Sequence, residues 1–279
     1  MAATRWETAF VTGGGSGIGR RLAEMLLDRG TRVAIFDLRI ADGVRAALRG
    51  RSAAHGGSAC SFHEVDIRDR QALGKAISEA VVSTGAPALA INSAGTQVSK
   101  AFEELTGEEF DFVVQVNLIG SRNFAAAVLP HMRPGARLAL IASLAGIVAN
   151  YGYTAYNASK FGVVGLAGAL RLEYKPKGIG VSVVCPPEVE TPMVAEERET
   201  GHPISLQLKA FSGTLGLDSA CAQILHGLEA GRSMIIPGRR ARLTRRLAQI
   251  VPGLMNAISD RMVVQAMRRT TSRGRAGRR

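Results

Sequence analysis

A glycine-rich turn near the N-terminus constrains the fold more than any other feature of the sequence. A short β-like run, 7–12, leads into the segment TGGGSGIG at 12–19, and a helical pattern of apolar residues follows. Strand, glycine turn and helix N-terminus in this order let backbone N–H groups and the helix dipole receive a pyrophosphate. A second strand, 32–36, ends in Asp37, where a carboxylate can bind ribose hydroxyls. The sequence therefore predicts a dinucleotide site, with a generic flexible loop as the alternative.

Asp37 also bears on the choice of cofactor. A carboxylate at this position accepts hydrogen bonds from a 2′-hydroxyl and repels a 2′-phosphate, and the turn offers Ser16 rather than a basic residue to meet such a phosphate. We therefore expect NAD. NADP stays open as the alternative, because Arg39 lies two residues further on and is able to swing toward a phosphate.

The rest of the chain alternates strands with helices. Residues 193–215 lack a strong pattern and are predicted to be a mobile loop with short helical pieces. Alternation of this kind predicts an α/β fold with a Rossmann-like, doubly wound, seven-stranded parallel sheet flanked by helices. We expect this fold to form one domain over 1–238, which includes the substrate loop at 187–215. The further strands are predicted at 58–65, 88–91, 137–142, 180–185 and 234–236, and the further helices at 41–54, 70–83, 108–132, 154–175 and 218–230.

Length and composition suit one large α/β domain. The 279 residues are 46% hydrophobic, enough for a sizeable core. No signal-peptide pattern and no uninterrupted apolar stretch of about 18 residues is present, so we expect a cytoplasmic protein. Cys60, Cys185 and Cys221 are far apart and lack metal-type spacing, and we interpret them as reduced, mostly buried thiols.

The net charge of +12 belongs to the C-terminus. Residues 232–279 contain 13 arginines and one acidic residue, so the preceding residues are neutral overall. Apolar residues at helical spacing predict a basic amphipathic extension, 239–267, split by Pro252. The extension either lies on an anionic membrane at its inner surface or packs over the substrate loop or a neighbouring subunit. Residues 268–279 are predicted to be a disordered Arg-rich tail. We do not expect nucleic-acid binding, because no aromatic residues interleave with these arginines.

The pentapeptide YNASK at 156–160 indicates the chemistry. If 154–175 is helical, Tyr156 and Lys160 project from the same face one turn apart. A free phenol titrates near pH 10, and a fixed cation supplies much of the roughly 4 kcal/mol needed to bring it to about 7. A tyrosine tuned in this way is a general acid or base near neutral pH. An ordinary start of an amphipathic helix is the alternative.

Several segments arrive in an order that resembles the classical short-chain dehydrogenase/reductase family, over about residues 7–238. They are TGGGSGIG at 12–19, Asp37, Asp66-Ile67, NSAG at 92–95, Asn117, Ser143, YNASK at 156–160 and PPEVET at 186–191. The resemblance implies a catalytic tetrad of Asn117, Ser143, Tyr156 and Lys160, and no metal. It also implies cofactor contacts from Gly13, Ser16, Gly17, Ile18, Gly19, Asp37, Asp66, Ile67, Asn92, Ala94, Gly95, Lys160, Pro186, Val189 and Thr191.

The family pattern assigns a role to each tetrad residue. Tyr156 exchanges a proton with the substrate oxygen, and Ser143 polarises that oxygen. Lys160 holds the nicotinamide ribose and depresses the tyrosine pKa, and Asn117 anchors a water that links Lys160 to solvent. The chain departs from the pattern at Pro187, where glycine is common, which rigidifies the turn at the nicotinamide end.

The residues around the tetrad are mostly apolar, which predicts a hydrophobic secondary alcohol and its ketone as substrates. The stretch 186–197 is similar to the 3-ketodihydrosphingosine reductase branch, which reduces a long-chain ketone with NADPH, so a keto-lipid reductase at the membrane surface is one alternative. A nucleotide-sensing or nucleic-acid-binding protein without turnover is another. Family habit implies a homodimer or homotetramer. The predicted substrate-binding residues are Ser143, Leu144, Tyr151, Tyr156 and Met193.

Overall fold

The computed structural model describes residues 6–54, 60–206 and 213–276, with side chains up to 268. The predicted start of the third strand at 58, part of the substrate loop at 207–212 and the tail residues 277–279 lie outside them. The strands are β1 (Thr8–Thr12), β2 (Arg32–Asp37), β3 (Cys60–Glu64), β4 (Leu89–Asn92), β5 (Arg137–Ile141), β6 (Gly180–Val184), β7 (Glu188–Val189), β8 (Thr214–Leu215) and β9 (Met234–Ile235). The α-helices are α1 (Gly17–Leu27), α2 (Asp42–Ala54), α3 (Arg70–Thr84), α4 (Gly107–Val114), α5 (Gly120–Val128), α6 (Thr154–Tyr174), α7 (Pro192–Thr200), α8 (Leu217–Glu229), α9 (Arg239–Ile250) and α10 (Pro252–Ala276).

Seven of the strands form one parallel sheet in the order β3-β2-β1-β4-β5-β6-β9. Each pairing in it is parallel, and β1 pairs with both β2 and β4. The predicted doubly wound fold is therefore confirmed. The strand order reverses between β1 and β4, and in open α/β sheets a crevice forms at such a point outside the carboxyl ends of the strands.

The core consists of two apolar layers, one on each face of the sheet. Alternate residues of β1 enter different layers, with Phe10 on one side and Val11 on the other. The Phe10 layer includes Phe124 of α5, and the Val11 layer includes Leu22 of α1. All five residues of β1 are buried, as expected for a parallel strand covered by helices on both faces.

The glycine turn joins β1 to α1 through close backbone packing. Gly13 and Gly17 have φ angles of 64° and 50°, in the left-handed region that favours glycine. A Cβ atom on Gly19 would lie 2.2 Å from the carbonyl oxygen of Gly13, so the start of α1 sits directly against the turn. The turn therefore requires glycine for backbone conformation and for space.

The helical region predicted at 108–132 is not a uniform α-helix. A capping box between Thr106 and Glu109 begins α4, and the chain then forms a π-helical turn over Gln115–Ile119 before α5. Single π turns are frequent at functional sites, and this one contains Asn117. The span Gly107–His131 is long and apolar enough to cross a membrane, but half of its most apolar window is buried inside the protein. That burial is typical of a core helix.

The substrate loop contains one helix and takes part in a short strand pair. Residues 192–200 form α7, with Pro192 in its first turn, where the missing N–H group is not needed. β7 and β8 pair in parallel, and Arg198 of α7 donates a hydrogen bond of 2.7 Å to Glu188 of β7. The prediction for 193–215 included short helical pieces, and α7 confirms one of them; the mobility of the loop stays a prediction.

The C-terminal extension forms two helices divided at Pro252, as predicted. It packs on the body through Ala241, which is buried, while the apolar side chains of Leu243 and Ile250 are exposed. The prediction of a disordered tail from residue 268 is wrong for 268–276, since α10 continues to Ala276. Arginine and alanine favour helices, and adding residues to an existing helix needs no new nucleus.

The contact between Gly19 and Gly13 predicts a large effect of one methyl group. Gly19→Ala should lower the free energy of unfolding by at least about 2 kcal/mol, because the clash is with backbone that cannot rotate away. Gly74→Ala in α3 is the matched control, since a Cβ there meets nothing within 4 Å. It should raise the free energy by about 0.5–1 kcal/mol. Urea unfolding of both variants measures the difference, and equal stabilities would contradict the packing described.

Candidate active site

One cavity of about 460 Å³ opens at the carboxyl ends of the central strands. It brings together residues that are far apart in the sequence, from the glycine turn to α7. Most of the predicted cofactor and substrate positions therefore share a single site. Those that line it are Gly13, Ser16, Gly17, Ile18, Asp37, Asp66, Ile67, Ala94, Gly95, Ser143, Leu144, Tyr156, Lys160, Pro186, Val189, Thr191 and Met193.

Asp37 stands at one end of this cavity in a fixed orientation. One carboxylate oxygen accepts the N–H of Gly15 at 2.8 Å, and the other accepts the N–H of Leu38 at 2.7 Å. Both oxygens keep lone pairs for further donors, as a ribose diol requires. Arg39 is exposed and does not line the cavity. Arg68 does line the cavity, and it forms an ion pair of 2.6 Å with Asp66, so these two charges offset each other and Asp37 adds a negative one.

The wall next to the glycine turn has the close backbone approach that a dinucleotide needs. A Cβ atom on Gly13 would lie 2.7 Å from the backbone nitrogen of Ala94. A Cβ atom on Gly95 would lie 3.1 Å from Oδ1 of Asn117 and 3.4 Å from Nζ of Lys160. Small residues thus keep this part of the crevice open. With the N-terminus of α1 beside it, the site fits a pyrophosphate and its two ribose groups.

Tyr156 and Lys160 lie one turn apart on α6, at the other end of the cavity. The Lys160 side chain is buried, and its Nζ lies 5.5 Å from the centroid of the Tyr156 ring. Nζ donates a hydrogen bond of 3.1 Å to the carbonyl oxygen of Ile141 in β5. Burial lowers the pKa of Lys160 to about 8, although the neighbouring Cys185 acts in the opposite direction. A cation held here favours the ionised phenol.

Ser143 follows β5 and points its hydroxyl to the same end of the cavity. The residue caps the short helix 144–146, and its Oγ accepts the N–H of Ala145 at 3.1 Å. The N–H of Leu144 donates to the carbonyl of Pro186 at 2.8 Å, which ties this turn to the end of β6. Ser143 keeps its hydroxyl proton for a ligand, since it accepts rather than donates in that bond.

Asn117 does not line the cavity, in contrast to the other three members of the predicted tetrad. It is fully buried behind the wall. Its side-chain nitrogen donates to the carbonyl of Thr96 and to Oγ of Ser159, each at 2.9 Å, and its oxygen accepts the N–H of Thr96 at 2.8 Å. Asn117 therefore joins the wall at Thr96 to helix α6. The water that the family pattern attaches to Asn117 stays a prediction.

Two predicted cofactor contacts, Asn92 and Gly19, also lie behind the cavity wall. Asn92 donates to Oγ of Ser121 at 2.7 Å and accepts the hydroxyl of Thr12, while Ser121 donates to the carbonyl of Asn117. Gly19 is buried against Gly13. Both were expected to touch the cofactor because they belong to the motifs. The strand pleat and the helix turn instead direct them inward, where they fix residues that line the site.

Tyr151, which the sequence predicts to bind substrate, does not line the cavity. Its ring lies 5.2 Å from the ring of His202, and its carbonyl accepts a hydrogen bond of 2.7 Å from Ser205. The neighbouring Tyr153 lines the cavity instead, with its ring 5.8 Å from that of Tyr156. The chain turns at residues 151–152, and of the two tyrosines only Tyr153 lines the site.

The sequence analysis missed several lining residues outside the motifs. Gln97 lines the cavity, and its side-chain nitrogen donates a hydrogen bond of 2.7 Å to the carboxylate of Glu197, a buried residue on α7. Its position two residues after the NSAG segment was the only signal available. Thr244 of α9 also lines the cavity, although it belongs to the basic extension. No local pattern indicates this, because it follows from how α9 packs on the body.

The fold and site define a class, the doubly wound α/β proteins whose dinucleotide crevice ends at a tyrosine and a lysine on one helix. A family model described as short chain dehydrogenase matches residues 7–202. The chain therefore belongs to the short-chain dehydrogenase family and is an oxidoreductase of that type.

Similar proteins support the same assignment. The 3-dehydrosphinganine reductase TSC10B of Arabidopsis thaliana is 35% identical over 233 residues, which cover 82% of this chain and 69% of that protein. The oxidoreductase UcpA of Salmonella typhimurium is 32% identical over 205 residues, which cover 71% of this chain and 74% of that protein. A short-chain dehydrogenase/reductase from Burkholderia phymatum, solved in complex with NAD, superposes with a TM-score of 0.77 at 24% identity over 91% of this chain and 97% of that one.

The buried ammonium of Lys160 predicts a stability change with a defined pH dependence. Its pKa is lowered from 10.5 to about 8 in the folded protein. Below pH 8 the lysine is charged in both states, so burial destabilises the fold. Between about 8 and 10.5 the unfolded chain binds more protons, so stability rises with pH. Lys160→Met should therefore raise the free energy of unfolding at pH 7 by about 1–3 kcal/mol, after the loss of one hydrogen bond.

This gain should shrink as the pH rises from 8 to 10.5, because the native lysine then becomes neutral. Denaturant unfolding without cofactor measures this change in the free energy of unfolding. The control variant is Lys75→Met, on the exposed face of α3. The control should change stability by less than about 0.5 kcal/mol. A Lys160→Met variant that is less stable than the native protein at pH 7 would contradict the burial of a charged amine.

Proposed function

We propose that this protein is an NAD(H)-preferring oxidoreductase that interconverts a hydrophobic secondary alcohol and its ketone. The observation that carries the proposal is the convergence of Ser143, Tyr156 and the buried Lys160 at one end of a cavity whose other end is set by Asp37. Proton transfer and dinucleotide binding are thereby joined in one crevice. The 3-dehydrosphinganine reductase similarity supports a reaction between a ketone and an alcohol.

Each residue at the reacting end has a task that its geometry suits. The hydroxyl group of Ser143 donates a hydrogen bond to the substrate oxygen and so polarises the carbon–oxygen bond. Tyr156 takes the hydroxyl proton during oxidation and returns a proton to the oxygen during reduction. The Lys160 cation, 5.5 Å from the tyrosine ring, stabilises the phenolate. The nicotinamide, when bound, accepts or supplies the hydride at the substrate carbon.

The preference for NAD rests on Asp37. Its carboxylate is held by two backbone N–H groups, and the neighbouring Arg39 stays outside the cavity. A 2′-phosphate would meet this fixed negative charge, and the lining arginine Arg68 is already engaged in an ion pair of 2.6 Å with Asp66. The NAD-bound structure from Burkholderia phymatum shares the fold and is consistent with this preference.

The apolar character of the substrate end follows from its lining. Leu144, Val148, Tyr153 and Met193 surround the reacting group. Glu188 also lines the cavity, and Arg198 binds its carboxylate at 2.7 Å. Among the described lining residues the cations are Lys160 and Arg68, and Arg68 is paired with Asp66, so a hydrophobic alcohol or ketone is a better match than an acidic substrate.

Loss of the Tyr156 hydroxyl should abolish turnover. Tyr156→Phe is expected to lower kcat/KM by at least about a thousandfold, because the general acid/base is removed while the ring stays. Tyr151→Phe is the matched control and should leave kcat/KM within about twofold, since Tyr151 lies outside the cavity. The assay is nicotinamide absorbance with a panel of secondary alcohols and ketones. Unchanged turnover in Tyr156→Phe would refute the mechanism and favour the non-catalytic alternative.

Replacement of Asp37 should weaken the selection for NAD. Asp37→Ala is expected to reduce the ratio of kcat/KM for NADH over NADPH by at least about tenfold, because the 2′-hydroxyl loses its acceptor and the repulsion of a 2′-phosphate disappears. Asp42→Ala, at the start of α2 and outside the cavity, is the control. A native enzyme that already prefers NADPH would overturn the cofactor assignment.

A long-chain keto-lipid reductase that works at a membrane surface is the second candidate. It is favoured by the similarity to 3-dehydrosphinganine reductases and by the exposed apolar side chains of the extension. Leu243, Leu247, Ile250 and Leu254 are 39–76% exposed on α9 and α10, next to arginines of the same helices. Such a surface suits peripheral contact with an anionic membrane from the cytoplasmic side. Turnover of long-chain ketones in preference to short ones, combined with NADPH use by the native enzyme, would favour this candidate.

A further inference from the structure

A second, smaller cavity lies at the edge of the sheet, away from the crevice. Its volume is about 240 Å³, and it is enclosed by α8, by the edge strand β9 with the residues that flank it, and by α9. None of its lining residues also lines the large cavity. It is therefore a separate site, which the proposed reaction does not use.

The lining of this cavity is strongly cationic. Arg232 follows α8, and Arg242, Arg245 and Arg246 come from one face of α9. No acidic residue lines the cavity. Within the part of the chain that the structure describes, none of these four arginines forms a salt bridge. The cavity thus gathers four positive charges, none of which is paired with a carboxylate of the described residues.

Arg242 is held in place by hydrogen bonds, although it is exposed, as Arg232 and Arg246 are. Arg242 donates to the carbonyl of Ile236 at 3.2 Å and to Oε1 of Gln223 at 3.4 Å, and Gln223 also accepts the N–H of Gly238 at 2.9 Å. The Nε atom of Arg245 is buried and, among the described residues, has no hydrogen-bond partner. Because this atom has essentially no accessible surface, an anion in the cavity would instead reach the other N–H donors of the guanidinium groups that line it.

We propose that this cavity binds a phosphate group, either of a small phosphate compound or of a lipid headgroup. Phosphate offers several acceptor oxygens and a double negative charge, which match convergent guanidinium groups better than a single carboxylate does. The site holds α9 against β9 when it is filled. Because Thr244 on the same helix lines the large cavity, a bound phosphate group also fixes one wall of the substrate site.

Phosphate binding to the full-length protein saturated with NAD⁺ tests the proposal, since the cofactor then occupies the crevice. Inorganic phosphate is titrated by calorimetry, and vesicles of phosphatidylcholine with or without phosphatidic acid are tested by sedimentation. The test variant is Arg245→Gln/Arg246→Gln. The control is Arg239→Gln/Arg261→Gln, which removes the same charge from positions outside the cavity.

The test variant should weaken phosphate or phosphatidic acid binding by at least about tenfold and the control by less than about twofold, because hydrogen bonds to charged groups are the strong ones. Loss of inorganic phosphate binding identifies a small phosphate compound as the ligand. Loss confined to phosphatidic acid vesicles identifies a lipid headgroup. Absence of both kinds of binding in the native protein, or equal losses in the two variants, would overturn the proposal.

A thermal melt and NADH binding establish that the test variant is folded. If it is not, Arg246→Gln alone takes its place, because the Arg246 side chain is exposed and its loss leaves the packing of α9 intact. This single variant should weaken phosphate binding by at least about threefold. That factor corresponds to the loss of roughly half the free energy of one hydrogen bond to a charged group. An unchanged affinity would likewise overturn the proposal.

Discussion

The burial of the Lys160 ammonium is the constraint on which the rest of the site depends. A charge removed from water is costly unless it is hydrogen-bonded and paired. Here the carbonyl of Ile141 accepts one N–H bond, and the face of the Tyr156 ring lies 5.5 Å away. Lys160 also lines the crevice, where ribose hydroxyls and an ionised phenol would accept its remaining N–H groups. Without those groups the cation lowers stability, so the residue makes physical sense as part of a site that is filled during function.

A buried network of polar side chains holds this arrangement in position. Successive hydrogen bonds link Thr12 of β1 to Asn92 of β4, and Asn92 to Ser121 of α5. The hydroxyl of Ser121 then donates to the carbonyl of Asn117 in the π turn. Asn117 then binds Thr96 and Ser159. The network crosses from the glycine turn to the helix that carries Tyr156, so the two ends of the cavity are mechanically connected. Buried networks that are fully satisfied make a structure rigid.

The sequence predicted the fold and the convergence of Ser143, Tyr156 and Lys160 on one cavity, because both depend on short-range patterns such as a glycine turn or a tyrosine and a lysine one turn apart. Side-chain direction was harder to predict. Asn92, Asn117 and Gly19 belong to the right motifs, yet they face the interior because the pleat and the π turn rotate them away. Tyr151 and Thr244 could not be assigned correctly, since their positions follow from how α7 and α9 pack on distant elements.

The pH dependence of alcohol oxidation tests the central claim most directly, namely that a buried cation makes the Tyr156 phenol acidic enough for proton transfer near neutral pH. With saturating NAD⁺ and a secondary alcohol that turns over, kcat/KM should rise through an apparent pKa well below about 10, the ordinary value of a phenol. A solvent deuterium isotope effect on kcat/KM over the same pH range should show that proton transfer contributes to the rate. A profile that rises only through about 10 would contradict the account.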